Sequence, residues 1–476
     1  MLKVDLERMK QQPGPNVGRK AISIDARRRS QSMRIAMVAL AGSLFLALSA
    51  SPSGAQNAPV TYTMQSEQIG PPQSVVAALY QPTNSTPNES TALVVVHQIP
   101  VFAELPCPEL AQRGFTVVCT DETGTTWDQL ARGVGYGVAY ARSLPGIRHV
   151  VLLGWSGGGS MVAYYQNIAE NGVAVCQAPH RLDPCTDSLA GLPRADGVVF
   201  LDAIPGLAFS FMSALDASTA KAGGLTSQHN PSLYLFNQRN GYNPNPNQSS
   251  RYSLSFIERY TQAQGQREAH LVSTALRLEK QFAKGRHGIS DAMAFPIGHD
   301  AARIWQQDTT LLSHTKGKYP LITPASPNGT VQVVHSVRVP AESPVPSSPQ
   351  ANDSSPINST VSTFLSTSAI MAPDYRLTAD SIEGVDWASS NTSTVINVQG
   401  ITVPLLMMSM TGHYWVVPSE MYYLAAHRSK HKTLAYVEGA AHVFSPCTEC
   451  QTSPNEFGDT EAEVFNYVGN WLEARF

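Results

Sequence analysis

The sequence predicts an α/β protein: a mostly parallel sheet with helices on both faces, interrupted by one long insertion. Three observations carry this. Apolar runs that are continuous rather than alternating, such as ALVVVH at 92–97 and HVVLLGWS at 149–156, suit central strands covered on both sides. Helical patterns separate these runs, and strands alternating with helices pair in parallel. The alternation breaks off after Ile204 and resumes near Val398. The domain plan is therefore a leader (1–55), a core (56–206), an insertion read as a cap or lid (207–397) and the rest of the core (398–476).

In chain order, VTYTMQSEQI and SVVAALYQP read as two early strands parted by Gly70, Pro71 and Pro72. ALVVVH is the third strand, CPELAQRG a short helix ending at Gly114, and FTVVCTDE the fourth strand. From Trp127 to Leu144, Leu130, Val134, Val138 and Ala141 share a helical face, and Pro145 and Gly146 end it. HVVLLGWS is followed by the helix MVAYYQNIAENG, with Val162, Tyr165 and Ile168 inward, and then by the buried strand DGVVFLDAIPG. After the insertion come the strand ITVPLLMMSM, a helix near 418–428, the strand KTLAYVEGAAH and an amphipathic helix from about Glu461 to Leu472. Within the insertion Leu271, Ala275, Leu278 and Phe282 share a helical face stopped by Gly285, and 340–360 is too rich in Pro and Ser to bury much.

Composition narrows the function. A net charge of -3, with 14% charged residues and no basic stripe, points away from nucleic acid as a partner. At the N-terminus Arg27, Arg28, Arg29 and Arg34 precede IAMVALAGSLFLALSA, and Ser53 and Ala55 supply small residues for cleavage. That run is short for a membrane span, which takes roughly 20 residues, so a cleaved signal peptide and a periplasmic or extracellular protein are expected. Export lets cysteines pair. Short loops close most readily, so Cys107 with Cys119, Cys176 with Cys185, and Cys447 with Cys450 are the expected disulfides. A lone CTEC without further ligands makes a structural disulfide a better reading than a metal site.

The chemistry is carried by GWSGGGS, 154–160, set between a buried strand and a helix. A G-x-S-x-G turn in that setting is a nucleophile elbow: glycines at 154 and 158 permit a bend too tight for side chains, and Ser156 is held strained with its Oγ exposed. The helix starting at Gly157 brings a positive dipole end and free N–H groups for a developing oxyanion. A serine needs a base. His442 ends the last buried strand beyond Gly439, at the sheet edge to which parallel strands deliver their loops. Two carboxylates are candidates for orienting it. Asp202 closes the strand in FLDAIPG, and Glu420 opens the helix after Pro418. His413, Tyr414 and Trp415 follow a core strand at the same edge and, with Trp155, are candidates for lining the substrate pocket.

With GWSGGGS, FLDAIPG and GAAH in this order, the chain resembles the α/β-hydrolase superfamily over about residues 60–205 and 398–476. The resemblance implies a doubly wound, eight-stranded sheet and carboxylic ester hydrolysis by Ser156, His442 and an acid, through an acyl-enzyme. It implies no metal or organic cofactor, and a small-molecule or lipid-like ester as partner. The acid of such proteins usually follows the strand at 401–410, where this chain has TGHYWVVPSE and no aspartate. LDAIP looks like the lipase subgroup whose acid follows the preceding strand, which favours Asp202 over Glu420. A second oxyanion donor then comes from HQIPVF after the third strand, at the N–H of Gln98 or Ile99, with His97 packing beneath the site. Peptide or thioester cleavage on the same elbow, and a non-catalytic binding protein, are the competing readings.

Overall fold

The computed structural model describes residues 59–71, 75–97, 105–218, 230–245, 248–285, 291–295, 303–333, 335 and 357–476. The leader 1–55, Gln98, Ile99 and most of the Pro/Ser-rich stretch lie outside the described residues.

Ten strands form one sheet: β1 (Tyr62–Ile69), β2 (Val75–Pro82), β3 (Thr91–Val96), β4 (Thr116–Glu122), β5 (His149–Trp155), β6 (Gly197–Leu201), β7 (Tyr319–Thr323), β8 (Ser326–Val333), β9 (Leu405–Met410) and β10 (Lys432–Val437). Their spatial order is β1-β2-β4-β3-β5-β6-β9-β10-β7-β8. The run from β4 to β7 is parallel throughout, and the pairs at the two ends are antiparallel. The expectation of eight strands is corrected here. The hairpin β7–β8 comes from within the segment read as an insertion and pairs along β10, covering the open row of backbone groups that strand would otherwise present.

Each central strand serves two cores, because successive side chains point to opposite faces. In β3, Val94 and Val96 join one cluster, while Leu93 and Val95 join the other. The first cluster packs beneath α2 (Trp127–Ser143), α3 (Gly157–Asn171) and α5 (Val416–Ala425), through residues such as Val134, Val162 and Tyr422. The second lies under α1 (Pro106–Ala111) and α6 (Thr460–Glu473), through Leu110, Val464 and Phe465. Helix α2 starts at a full capping box, Thr126 with Gln129, and α6 at the Asp459 carboxylate, which accepts from the Ala462 N–H. All three cysteine pairs expected from spacing are disulfides.

The segment 207–397 builds two further cores. Its long helix α4 (Leu254–Ala283) extends well upstream of the pattern read from sequence, to a cap on Ser253, and buries Leu271 and Ala275 against Val361, Phe364 and Leu365. The larger core joins Phe209, Tyr260, Trp305 and Tyr375 to Ile204, Trp415 and Val417. Those last three stand just beyond β6 and β9, so this core meets the sheet at the C-terminal ends of its strands.

Among the described residues, Glu122 and Glu268 are buried with no cation against their carboxylates. Burial pushes Glu122 up to about 8 even though the Thr120 hydroxyl donates to it at 2.6 Å. Burial also raises Glu268 to about 8, although the Ile370 N–H donates to it. Because both folded values are raised, the stability these groups contribute is full below the ordinary carboxylate value of 4.5 and is lost as pH rises through about 8. At roughly 1.4 kcal/mol per unit, the loss is a few kcal/mol for each group. Glu122→Gln is therefore expected to leave Tm near wild type at about pH 5 and to raise it at about pH 9, with Glu268→Gln adding to the effect. Calorimetry at the two pH values checks this, and an unchanged pH slope in the double variant would refute it.

Candidate active site

Strand β5 ends at Trp155, α3 begins at Gly157, and Ser156 makes the entire turn with φ 54° and ψ −122°. A non-glycine residue at positive φ is strained and persists only where its surroundings over-determine it. Here β6 and its loop supply the constraint. The Ser156 N–H donates to Leu201 O at 3.1 Å, and Ser156 O accepts from Ile204 and Gly159. A Cβ on Gly158 would stand 2.0 Å from the Val96 carbonyl oxygen, which no side-chain shift relieves. Gly159 is needed for packing, since its Cβ would fall 2.3 Å from that of Ala203. The Ser160 hydroxyl meets Thr394 Oγ1 at 2.9 Å. Ser156 does not cap α3 with its own side chain, so its hydroxyl is not spent on the helix.

Asp202 follows β6 at φ 43° and is fully buried. Its Oδ1 accepts from Ser409 Oγ at 3.2 Å and from the Met410 N–H at 3.3 Å, both at the end of neighbouring β9. Its Oδ2 lies 2.6 Å from His442 Nδ1 in an aligned hydrogen bond. His413 Nδ1 is also 2.6 Å from Oδ2, at an angle poorer than a straight hydrogen bond. Burial alone would raise the Asp202 carboxyl. His413 first and His442 after it outweigh burial and hold the group well below the usual carboxylate range, so it is ionised at any ordinary pH. A carboxylate only accepts, so the hydrogen bond fixes the His442 proton on Nδ1 and leaves Nε2 as the basic nitrogen.

The His442 loop is tied to the elbow by Trp155, whose indole N–H donates to the His442 carbonyl at 3.1 Å, with the two rings 5.6 Å apart. Trp155 is thus placed differently from the expected pocket wall. It is 1% exposed and packs on His97 and Phe444, because as the last residue of β5 it shares with Leu153 the α1/α6 side of the sheet. Trp415 is buried against Trp305, and Tyr414 is half-buried with its ring 3.9 Å from that of His413. Glu420 is engaged elsewhere. Its carboxylate accepts from the N–H groups of Lys316 and Gly317 and from the Tyr319 hydroxyl, anchoring the start of β7. Gly157 opens α3, with the N–H groups of its first turn at the elbow.

The sequence reading put His413 in the pocket and missed its position on Asp202. The signal was a histidine three residues past a core strand, in the place where an acid was sought. Asp202, His413 and His442 are donor types that a metal uses. Their 2.6 Å contacts are hydrogen-bond separations, however, whereas ligands held at ~2.0–2.2 Å around a tetrahedral ion stand roughly 3.4 Å from one another. The cluster therefore fits a proton-handling site better than a metal centre. Among the described residues no helix is long and apolar enough to cross a membrane.

No protein-family profile matches the sequence, and no curated protein matches it. Solved structures do resemble it. A bacterial brefeldin A esterase shares 10% identity over 91% of this chain and 80% of its own, with a TM-score of 0.38. Carboxyl esterase 2 of the fungus Tuber melanosporum shares 10% over 88% and 89%, at 0.38. A soluble variant of the monoglyceride lipase of Saccharomyces cerevisiae shares 12% over 90% and 99%, at 0.37. The solved structures to which this chain is similar thus include esterases and lipases of the α/β-hydrolase superfamily.

Proposed function

We propose that the protein is a serine hydrolase that cleaves carboxylic esters through an acyl-enzyme, with Ser156 as nucleophile, His442 as general base and Asp202 as the orienting acid. The observation that carries this reading is the aligned 2.6 Å hydrogen bond from His442 Nδ1 to the buried Asp202, on a loop whose His442 carbonyl is bonded to Trp155, the residue before a serine held at φ 54°. His442 Nε2 takes the Ser156 hydroxyl proton as Oγ attacks the ester carbonyl. The new imidazolium is stabilised by Asp202. The Gly157 N–H at the start of α3 meets the oxyanion. His442 then protonates the leaving alcohol, and water, deprotonated in turn by His442, releases the acid.

The segment 207–397 would act as a cap that shapes the substrate, since its largest core contains Ile204 and Trp415 at the same sheet edge. The three disulfides fit an oxidising compartment and hence export, periplasmic or extracellular. Reaction with a fluorophosphonate probe, alongside p-nitrophenyl esters, thioesters and peptides, tests the reading. One equivalent of label and ester turnover are expected; complete indifference to the probe would sink it, and turnover confined to peptides or thioesters would reassign the substrate.

A further inference from the structure

We propose that His413 is a positioning residue: by sharing Asp202 Oδ2 with His442, it lowers the proton affinity of the His442 ring and so sets the pH at which the site becomes active. This rests on the reading of Ser156, His442 and Asp202 as a triad.

The sharing is built into the backbone. Strands β9 and β10 run in parallel with Met410 opposite Val437, so the loops that follow them leave the sheet side by side. Three hydrogen bonds then lock the loops together: Thr411 N–H to Val437 O at 3.0 Å, Gly412 N–H to Ala440 O at 3.0 Å, and Gly439 N–H to Thr411 Oγ1 at 2.8 Å. A Cβ on Gly412 would stand 2.7 Å from Ala440 O, so the loops meet too closely for any other residue there. As a result the His413 and His442 rings stack at 4.4 Å and 26°, with both Nδ1 atoms 2.6 Å from one carboxylate oxygen. The two are not equivalent. The His442 side chain is 28% exposed and reaches the solvent side, whereas that of His413 is 8% exposed.

The chemistry follows from the shared acceptor. An imidazole N–H facing Oδ2 draws on charge that would otherwise stabilise only the His442 imidazolium. A protonated His413 would go further and lay a second cation against the His442 ring, which costs like charges dear at that range. Either state makes His442 harder to protonate. Among the described residues, the other titratable groups at the cluster are Tyr414, next in the chain, and Tyr422 from α5, which burial keeps neutral and which feels the Asp202 charge. His413 is also the largest influence pulling the Asp202 carboxyl down against burial.

The test is the rate of fluorophosphonate inactivation followed from about pH 4 to pH 9, whose acid limb reports the base of the free enzyme. In His413→Ala the midpoint of that limb is expected to move up by about one pH unit, a tenfold gain in proton affinity. His413→Asn keeps an uncharged donor near the Nδ1 position and is expected to give a smaller upward shift. A midpoint equal to wild type overturns the proposal, and so does slower reaction at every pH with the midpoint unmoved, the mark of mere structural support. If His413→Ala does not fold, His413→Asn decides by the same criterion. Wild-type protein that never reacts overturns the triad itself, an outcome distinct from an unmoved midpoint.

Discussion

Ser156→Ala is expected to abolish fluorophosphonate labelling and to lower kcat for a p-nitrophenyl ester by about 10⁶-fold, leaving only what binding and oxyanion donors supply. The change removes a single oxygen from a residue that is 7% exposed and whose hydroxyl caps nothing, so Tm should stay close to wild type. The backbone bonds that hold the elbow, from Ser156 N–H to Leu201 O and from Ile204 N–H to Ser156 O, survive the substitution. Loss of activity with an intact melting curve is therefore the expected pattern. Turnover retained by Ser156→Ala would exclude the elbow as the source of the nucleophile.

Asp202→Asn is expected to lower kcat by about 10⁴-fold with little effect on KM. The amide matches the carboxylate in shape, but it carries no charge to stabilise the imidazolium and can turn an N–H toward His442, which favours the wrong tautomer. Glu420→Gln is the matched control. Its oxygens hold the chain at Lys316, Gly317 and Tyr319, where an amide would set N–H against N–H. It is expected to lower Tm while leaving kcat within a few-fold of wild type. The opposite outcome, a large kcat loss in Glu420→Gln and none in Asp202→Asn, would exchange their roles.

Much of the fold was legible because its central strands are buried on both faces. The continuous apolar runs at 92–97 and 149–156 admit few other readings, and GWSGGGS marks its own turn, since only glycine fits at 158 against the Val96 carbonyl. The hairpin β7–β8 was not legible. Tyr319–Thr323 is short, and it pairs with Tyr436 and Val437, more than a hundred residues onward. Strands near the end of the sheet lack the two-sided apolar pattern of central ones, and Pro320, Leu321 and Thr323 are only half-buried. Trp155 was misplaced for a different reason. It is a candidate pocket wall by the sequence, but period-two alternation puts it with Leu153 on the α1/α6 face of the sheet.

The sequence by itself determined the elbow, the candidate base and two candidate acids, because the elbow is local chemistry and the rest follow from which strand each residue ends. Only the tertiary structure brings Asp202, and not Glu420, against His442 and sets a second histidine on Asp202. Those facts depend on β6, β9 and β10 lying side by side in register, and on a glycine at 412 letting two loops touch. Strand order and register are fixed by packing across the whole sheet, so residues 202, 413 and 442 meet at one oxygen for reasons that no stretch around any of them contains.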